Sequence, residues 1–483
     1  MTDSLTAWQQ ATSFSYDAVE QTTKRRTASK VIRTEDRELI SPKRQQLISQ
    51  SNDLMRNFSI AGWAVRKHLD FVSRFSFASQ TKTPFDYEFE SRMRDWCEDK
   101  RRCDVRKQHT FHRMLRMAEA RAVTVGDHLL IKVEGQRLQQ VESDRIRTAA
   151  KRDPRAKVVD GCIQNSDGAT IGYQVHRRGS NGVGYHYQRD IPAEHGLFHA
   201  YFPSERSDQT RGVGLITSGI NDFIDAYEWT DIAKATEKGR AALAMIFKTE
   251  SPDGVGEYEA VGNGKYNVTL GKGPFKLELE PGDDVEFKGS DTPAGNTVAF
   301  FNGCIGFALK SLDLPLCFYD ETLTNFFGQR AQFILYIESC KSKRDALRAN
   351  ILHPLTHWLR ACWIADGSLT LPPGVTSTTL NKLPFQWRPA GLPWWNPVQE
   401  VTAQLMAIRG GLANYEDVYL EATGRDWFAD MLRLKEQQQF LEKHQIVLDP
   451  TLAPAMAAFL IGQQQQQTSP LDGLPVAQSG MSA

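Results

Sequence analysis

From Arg211 to Trp363 the chain reads as a rod, a small lobe, a short rod, a loop and a second long rod. Proline is absent from Arg211 until Pro252, and SGINDFIDAYEWTDIAKATEKGRAALAMIFKT predicts one helix opening at Arg211-Gly212. Some thirty residues at 1.5 Å each would make a rod of about 45 Å. Glycines at 254, 256, 262, 264, 271, 273, 282, 289 and 295 then punctuate short alternating runs such as YEAVG, KYNVTL, FKLELE and DVEFKG. Such runs suit small antiparallel strands with one wet face. FFNGCIGFALKSL (300–312) predicts a second helix that stops before Asp313 and Pro315, and the loop DLPLCFYDETLTNFFG leads into a long helix over 329–363. A lobe this small buries little on its own. Long rods flanking it need neighbours to cover them.

At 483 residues the chain exceeds one ordinary domain, so several compact regions are expected. The N-terminal 45 residues are polar, weakly periodic and read as an arm. From Ser51, Leu54, Phe58, Ala61, Val65, Leu69 and Val72 form one apolar stripe and predict a helix. Two more helices are expected near 86–102 and 110–124. HLLIKVEG (128–135) and RLQQVES (137–143) read as strands, and Asn165-Ser166-Asp167-Gly168 as the turn between two more. Residues 46–210 therefore read as α+β, helices first. Beyond the rods, helices are predicted at 397–409, 414–422 and 425–444, and a glutamine-rich end (463–483) reads as disordered.

Fifty-eight basic residues balance fifty-eight acidic ones, which disfavours a surface that wraps nucleic acid as a whole. The balance is uneven along the chain. The first 150 residues hold twenty-seven basic against twenty acidic groups, with clusters at Lys24-Arg25-Arg26 and Lys100-Arg101-Arg102. These suit either a solvated face or an acidic partner. No leader-like start and no run of eighteen apolar residues are present, so a soluble protein without a membrane span is expected. Seven irregularly spaced cysteines argue against a disulfide framework and for reduced thiols.

Motifs of chemistry are missing. The sequence has no G-x-x-x-x-G-K-[ST], no G-x-G-x-x-G, no H-E-x-x-H and no G-x-S-x-G, so no catalytic residue, cofactor or metal is expected. Cys97, Cys103, His109 and His112 supply zinc-type donors. Six residues along a helix, however, turn the two thiols about 240° apart. Trp387, Trp394 and Trp395 suit base stacking or, lying between prolines, packing anchors, and the second reading is preferred. Asp283-Asp284 reads as a solvated turn.

Over roughly 50–445 the chain resembles the portal proteins of tailed bacteriophages, of the lambda type. Gln209 and Arg211-Gly212 follow HGLFHAYF, and Asn325 with Arg330-Ala331 opens the next long helix. Gly391-Leu392-Pro393-Trp394 with Asn396-Pro397, and Ala407-Ile408 through Gly410-Gly411-Leu412, complete the set. The sequence departs from the family in having Ser204-Glu205-Arg206 before the Arg-Gly pair and Val213-Gly214-Leu215 after it. It also has Phe327-Gly328-Gln329 in place of a serine pair. The resemblance implies a ring, typically of twelve subunits, at one capsid vertex, with double-stranded DNA moving through its axis. It also implies a terminase large subunit and a head–tail adaptor as partners, with the major capsid or scaffold protein around the ring.

By the same resemblance the expected parts are an N-terminal arm (1–45), an α+β wing (46–212), a stem helix (213–249), a β-rich clip (250–297), a second stem helix (298–312) and a tunnel loop (313–326). A long wing helix (327–363), a return segment (364–400), a helical crown (401–462) and the tail (463–483) follow. Lys310, Asp320, Thr322, Asn325, Arg330 and Lys341 are the expected tunnel-facing residues. Two alternatives stand beside this reading: a non-portal capsid or scaffold component, and a metal-dependent DNA-processing enzyme.

Overall fold

The computed structural model describes residues 32–150, 157–242, 246–249, 283–286, 295–320, 322, 325–372, 374–376, 379–391 and 396–445. Most of the expected lobe, Trp394, Trp395 and the glutamine-rich end lie outside these residues. The architecture is a mixture of helices and small antiparallel sheets, as the sequence led one to expect.

Helices α1 (Glu35–Glu38), α2 (Ser41–Asn57) and α3 (Ser59–Val72) come first. The apolar stripe predicted one helix from Ser51, but the rod is broken at Phe58, whose backbone is extended. Its ring packs edge-on against Phe223 and Tyr227 at 6.2 and 5.5 Å, a seat that a continuous helix would not offer. Strand β1 (Phe75–Ser79), helix α4 (Pro84–Glu98), the single turn α5 (Lys100–Cys103) and α6 (Phe111–Val125) follow. Strands β2 (Asp127–Val133) and β3 (Arg137–Glu142) form a hairpin. Short β4 (Lys157–Val159) and β5 (Cys162–Gln164) precede β6 (Thr170–Arg178), β7 (Tyr185–Pro192) and β8 (Gly196–Ala200). The Asn165–Gly168 turn joins β5 to β6: Gly168 takes φ +85°, and Asn165 Oδ1 accepts from the N–H groups of Asp167 and Ala169. One sheet runs β3-β2-β8 and another β4-β5-β6-β7. A small core of Leu129, Ile131, Val141, Cys162, Tyr173 and Val175 lies between them.

The expected long rod is shorter than predicted. Arg211–Gly214 is not helical, Leu215–Gly219 makes a tight turn, and only then does α7 (Ile220–Ala242) begin. It ends before strand β9 (Ile246–Thr249), which pairs antiparallel with β10 (Asp283–Glu286), so Asp283-Asp284 sits in a strand rather than a turn. Helix α8 (Gly295–Lys310) starts earlier than expected and packs along α7, with Trp229 and Phe301 rings 5.0 Å apart.

The long rod expected over 329–363 is helix α9 (Phe326–Leu347), a wide turn with π-type bonding (Arg348–Leu352), and α10 (His353–Ala365). Pro354 explains the turn: it has no N–H to donate, and its ring crowds the carbonyl four residues back. Strand β11 (Phe385–Pro389) returns to pair with β1. Helices α11 (Pro397–Arg409), α12 (Tyr415–Thr423) and α13 (Trp427–Lys443) close the described chain within two residues of their expected bounds. The larger core gathers α3, α4, α6, α9 and α10 around Phe89, Phe111, Leu355 and Trp387. Among the described residues, no helix is long and apolar enough to cross a membrane.

Candidate functional site

Helices α8 and α9 meet through the segment Ser311–Asn325, and its base is fixed by charge. Asp313 adopts φ +60°, a left-handed conformation unusual for a residue with a side chain. Its carboxylate accepts from Lys343 Nζ at 2.7 Å and Ser339 Oγ at 2.6 Å. Lys343 Nζ also donates to the Leu312 carbonyl. Burial alone would raise the Asp313 pKa, but hydrogen bonds from Lys343 and Ser339 bring it below the usual value. The segment thus leaves the rod in one direction, clamped to the second turn from the end of α9.

Above that clamp the two helices leave a groove of about 1020 Å³, lined by Val298, Gly303, Phe307, Leu316, Leu335 and Tyr336. Its lining mixes these apolar side chains with Lys310, Asp313 and Gln332 and is open to solvent: Phe307 is 70% exposed and Leu335 71%, and elsewhere on α8 Phe300 is 61% exposed. On α7, Ile232 is exposed as well. Burying a side chain of this size yields about 1.5–3 kcal/mol, so the exposed apolar side chains of α8 and α9 gain from a cover.

The six expected channel residues fall around the same junction. Lys310 ends α8 and lines the groove. Asp320 Oδ1 accepts from Thr322 N at 2.9 Å and Thr322 Oγ1 at 2.6 Å, bonds that hold the exposed carboxyl below its usual pKa. Asn325 caps α9, its Oδ1 accepting from Gly328 N at 2.8 Å. Arg330 reaches across to Glu400 of α11 at 3.2 Å. Lys341 pairs with Glu338 one turn back at 2.7 Å, a hydrogen bond that raises its pKa. Of the six, the structure joins Asp320 to Thr322; Lys310 and Asn325 sit at helix ends on either side of that segment, whereas Arg330 is paired with α11 and Lys341 within α9.

The entry to α7 is set by a buried charge cluster that sequence periodicity did not reveal. Arg211, 1% exposed, donates from Nε and Nη2 to the two oxygens of Asp127, both at 2.8 Å. It also donates to the carbonyls of Ile146, Asp160 and Ser143. Arg44 of α2 completes the group: its Nε lies 2.8 Å from Asp160 Oδ2, close but not aligned as a hydrogen bond. Its Nη1 lies 3.5 Å from Asp127. Two cations thus face two carboxylates. Burial would lower the Arg211 pKa, yet the charge of Asp127 overcomes it and the net shift is upward. The Asp127 carboxyl, which burial would raise, is held low by Arg211. Next to it, Gly212 passes so close to Gly126 that a Cβ would meet the Gly126 carbonyl oxygen at 2.0 Å. Extended backbone through Arg211–Gly214 is what this contact demands, and Val213 N donates to the Tyr201 carbonyl. The helix is displaced downstream for that reason.

A second buried knot ties α3, α6 and β8. Glu119 accepts from His68 Nε2 (2.9 Å), His199 Nε2 (2.8 Å) and Tyr201 Oη (2.8 Å). Burial would raise its pKa, but the hydrogen bonds from His199 and His68 bring it to about 2.

The thiol–imidazole set is not a site. Cys97 and Cys103 are buried, and Cys103 Sγ donates to the His109 carbonyl at 3.4 Å, its pKa pushed up to about 12 by burial. Among the described residues no three His, Cys, Asp or Glu side chains are placed to hold a metal ion. Trp387 is a packing residue: it is 1% exposed and its Nε1 donates to Thr356 Oγ1 at 2.9 Å.

The described residues combine a two-part helical rod, a segment whose base is fixed between α8 and α9, and exposed apolar side chains on both helices, the features of a chain that works in an assembly. The model of the lambda family of phage portal proteins matches residues 23–316, more than half of the chain, and the chain belongs to that family. Comparison with curated proteins finds no match. Among solved structures the chain is similar to one in the virion of the native gene transfer agent (GTA) particle, at 14% identity and TM-score 0.41, over 76% of this chain and 90% of that one. It is similar to one in the neck of the native GTA particle computed with C12 symmetry, at 15% identity and TM-score 0.41, over 77% and 92%. It is also similar to a HK97-family phage portal protein from Corynebacterium diphtheriae, at 12% identity and TM-score 0.34, over 65% and 92%.

Proposed function

We propose that copies of this chain close into a ring of about twelve at one capsid vertex, and that double-stranded DNA enters and leaves through its axis. The observation that carries the ring is the exposed face of α8 and α9, where Phe307 and Leu335 line a groove that no other described residue covers. A cyclic ring joins two different faces of each subunit, and a neighbour seated here removes the apolar surface from water.

In this reading α7 and α8 are stem helices, the segment between them the clip, Ser311–Asn325 the tunnel loop, α9–α10 the wing helix and α11–α13 the crown. Lys310, Asp320, Thr322, Asn325, Arg330 and Lys341 face the channel. Arg330 and Lys341 are paired with Glu400 and Glu338, and this leaves the wall low in net charge. Each phosphate that a free cation neutralises adds affinity through counterion release, so a weakly charged wall lets DNA slide. The ring has no catalysis of its own. A terminase large subunit supplies the motor, a head–tail adaptor follows it, and major capsid or scaffold protein surrounds the ring. Assembly takes place in the host cytoplasm, and the mature location is the virion.

Native mass spectrometry with negative-stain imaging of the purified protein tests this. A closed ring with a central hole is expected. A compact dimer, or a monomer that persists at high concentration and in the presence of scaffold protein, would overturn it.

A further inference from the structure

Residues 100–107 read KRRCDVRK, five cations in eight positions. Hydrogen bonds fix the backbone that carries them, while the cationic side chains are exposed. Asp99 caps α5 by accepting from Arg101 N at 2.8 Å. Asp104, buried, accepts from the N–H groups of Arg106, Gln108 and His109 at 2.9, 3.0 and 3.1 Å. Val105 N donates to the Leu138 carbonyl, which fastens the segment to the outer edge of β3. Lys107 is thereby kept at φ +57°, in the left-handed region that side chains seldom adopt. Asp104, the one acidic residue inside this stretch, leaves an excess of cations, and its oxygens are engaged by backbone N–H groups.

Arg101, Arg102 and Lys107 join Arg92 from α4 and Arg137 from β3 around a cavity of about 540 Å³. Its inner wall is built. Trp96 and Trp363, both buried, donate from Nε1 to the main-chain and side-chain oxygens of Gln136 at 2.7 and 2.8 Å. The one carboxylate in the lining, Asp366, accepts from Gln136 Nε2 at 2.6 Å and Ser368 N at 3.0 Å. Arg102 lies 3.6 Å from Asp99. Among the described residues, no carboxylate comes within 4 Å of Arg92, Arg101, Lys107 or Arg137.

We propose that this cavity is the docking site for an acidic segment of a partner protein, an extended peptide carrying several Asp or Glu side chains. Charge complementarity selects an anion. Shape selects the kind: a recess of this volume admits single carboxylate side chains, which guanidinium groups grip in a forked geometry. A rigid duplex is far too wide to enter it. The doubly anchored loop fixes the backbone beneath the cations, so binding of the peptide has to order side chains and not the loop. The site needs no ring for its logic, and ring assembly is read separately in the test.

The test is fluorescence anisotropy on the full chain with a labelled poly-glutamate peptide, and in parallel a labelled DNA duplex of arbitrary sequence. The variant is R101E/R102E/K107E, with native mass spectrometry on the same samples. The peptide is expected to bind, to weaken as salt rises, and to bind about tenfold or more weakly in the variant while ring assembly is unchanged. If the triple variant does not fold, R101Q/K107Q serves, with a smaller loss expected. No peptide binding, or binding indifferent to these substitutions, would overturn the proposal. So would a duplex that binds more tightly than the peptide and is lost in the variant. Loss of the ring in the variant would reassign the cavity to a contact between copies.

Discussion

Arg211 and Asp127, 84 residues apart, share two parallel N–H···O bonds of 2.8 Å in a site closed to solvent. Their pairing fastens the approach to α7 onto the start of β2. Removing one partner leaves the other buried with a single longer contact of 3.5 Å, Arg44 for Asp127 or Asp160 for Arg211, at a cost of up to roughly 3–5 kcal/mol. Arg211→Ala and Asp127→Asn are each expected to lower stability by that amount in denaturant titration. Combining them should cost clearly less than the sum.

Gly212→Ala is expected to be harmful although it adds one methyl group. The Cβ would meet the Gly126 carbonyl oxygen at 2.0 Å, and backbone cannot move aside as a side chain does. A loss of about 2 kcal/mol or more in thermal unfolding is expected, larger than for alanine at Gly303, where a Cβ meets nothing within 4 Å.

Stability should fall with acid in two stages. His128 is buried, and burial with the nearby Arg121 lowers its pKa from 6.5 to about 3. It is neutral in the fold and protonates more readily when unfolded, so stability is full above about 6.5 and declines below it, by about 2 kcal/mol at pH 5. Glu119, held at about 2 against a usual 4.5, contributes stability above about 4.5 that is lost as the pH falls toward 2. A melting series from pH 8 to pH 3 should show both. Glu119→Gln should flatten the second stage and leave the first.

Leu335→Glu and Phe307→Glu alter exposed side chains, so the single chain should keep its melting behaviour within about 0.5 kcal/mol. Size-exclusion chromatography should instead show loss of the ring.

Trp387→Phe keeps the packing of an aromatic ring but removes the bond to Thr356 Oγ1. It should cost about 1 kcal/mol plus the unfilled volume. Trp387→Ala should cost roughly 3–5 kcal/mol. A cycle with Thr356→Val isolates the hydrogen bond.

Local signals made the C-terminal helices legible. Asn396 and Asn414 cap α11 and α12, and Gly424 ends α12 with a left-handed residue, all readable as punctuation. The Asn165–Gly168 turn was legible for the same reason. Long-range contacts were not. Strand β1 is a strand because it pairs with β11 some three hundred residues on, and FSFAS carries no sign of that. Phe58 sits on the apolar stripe yet breaks the helix, because rings from α7 hold it. The sequence marks the Arg211-Gly212 pair as a motif and predicts a helix opening there, whereas α7 begins at Ile220. Its work is to enter a buried cluster assembled from Arg44, Asp127 and Asp160, charges that look solvent-exposed when read singly.

The wide turn at Arg348–Leu352 puts one extra residue into an otherwise regular coil. One residue advances the side chains by about 100° around the axis. α9 and α10 nevertheless share one core: Tyr336, Cys340 and Leu347 of α9 are buried in the same cluster as the apolar residues of α10. Leu335 lines the open groove and Phe333 meets Phe71 and Phe318, while Leu355, Leu359 and Trp363 are sealed into the interior. The rod works as a beam seated along its length in the body of the molecule, with the side of α9 that carries Leu335 left facing the groove.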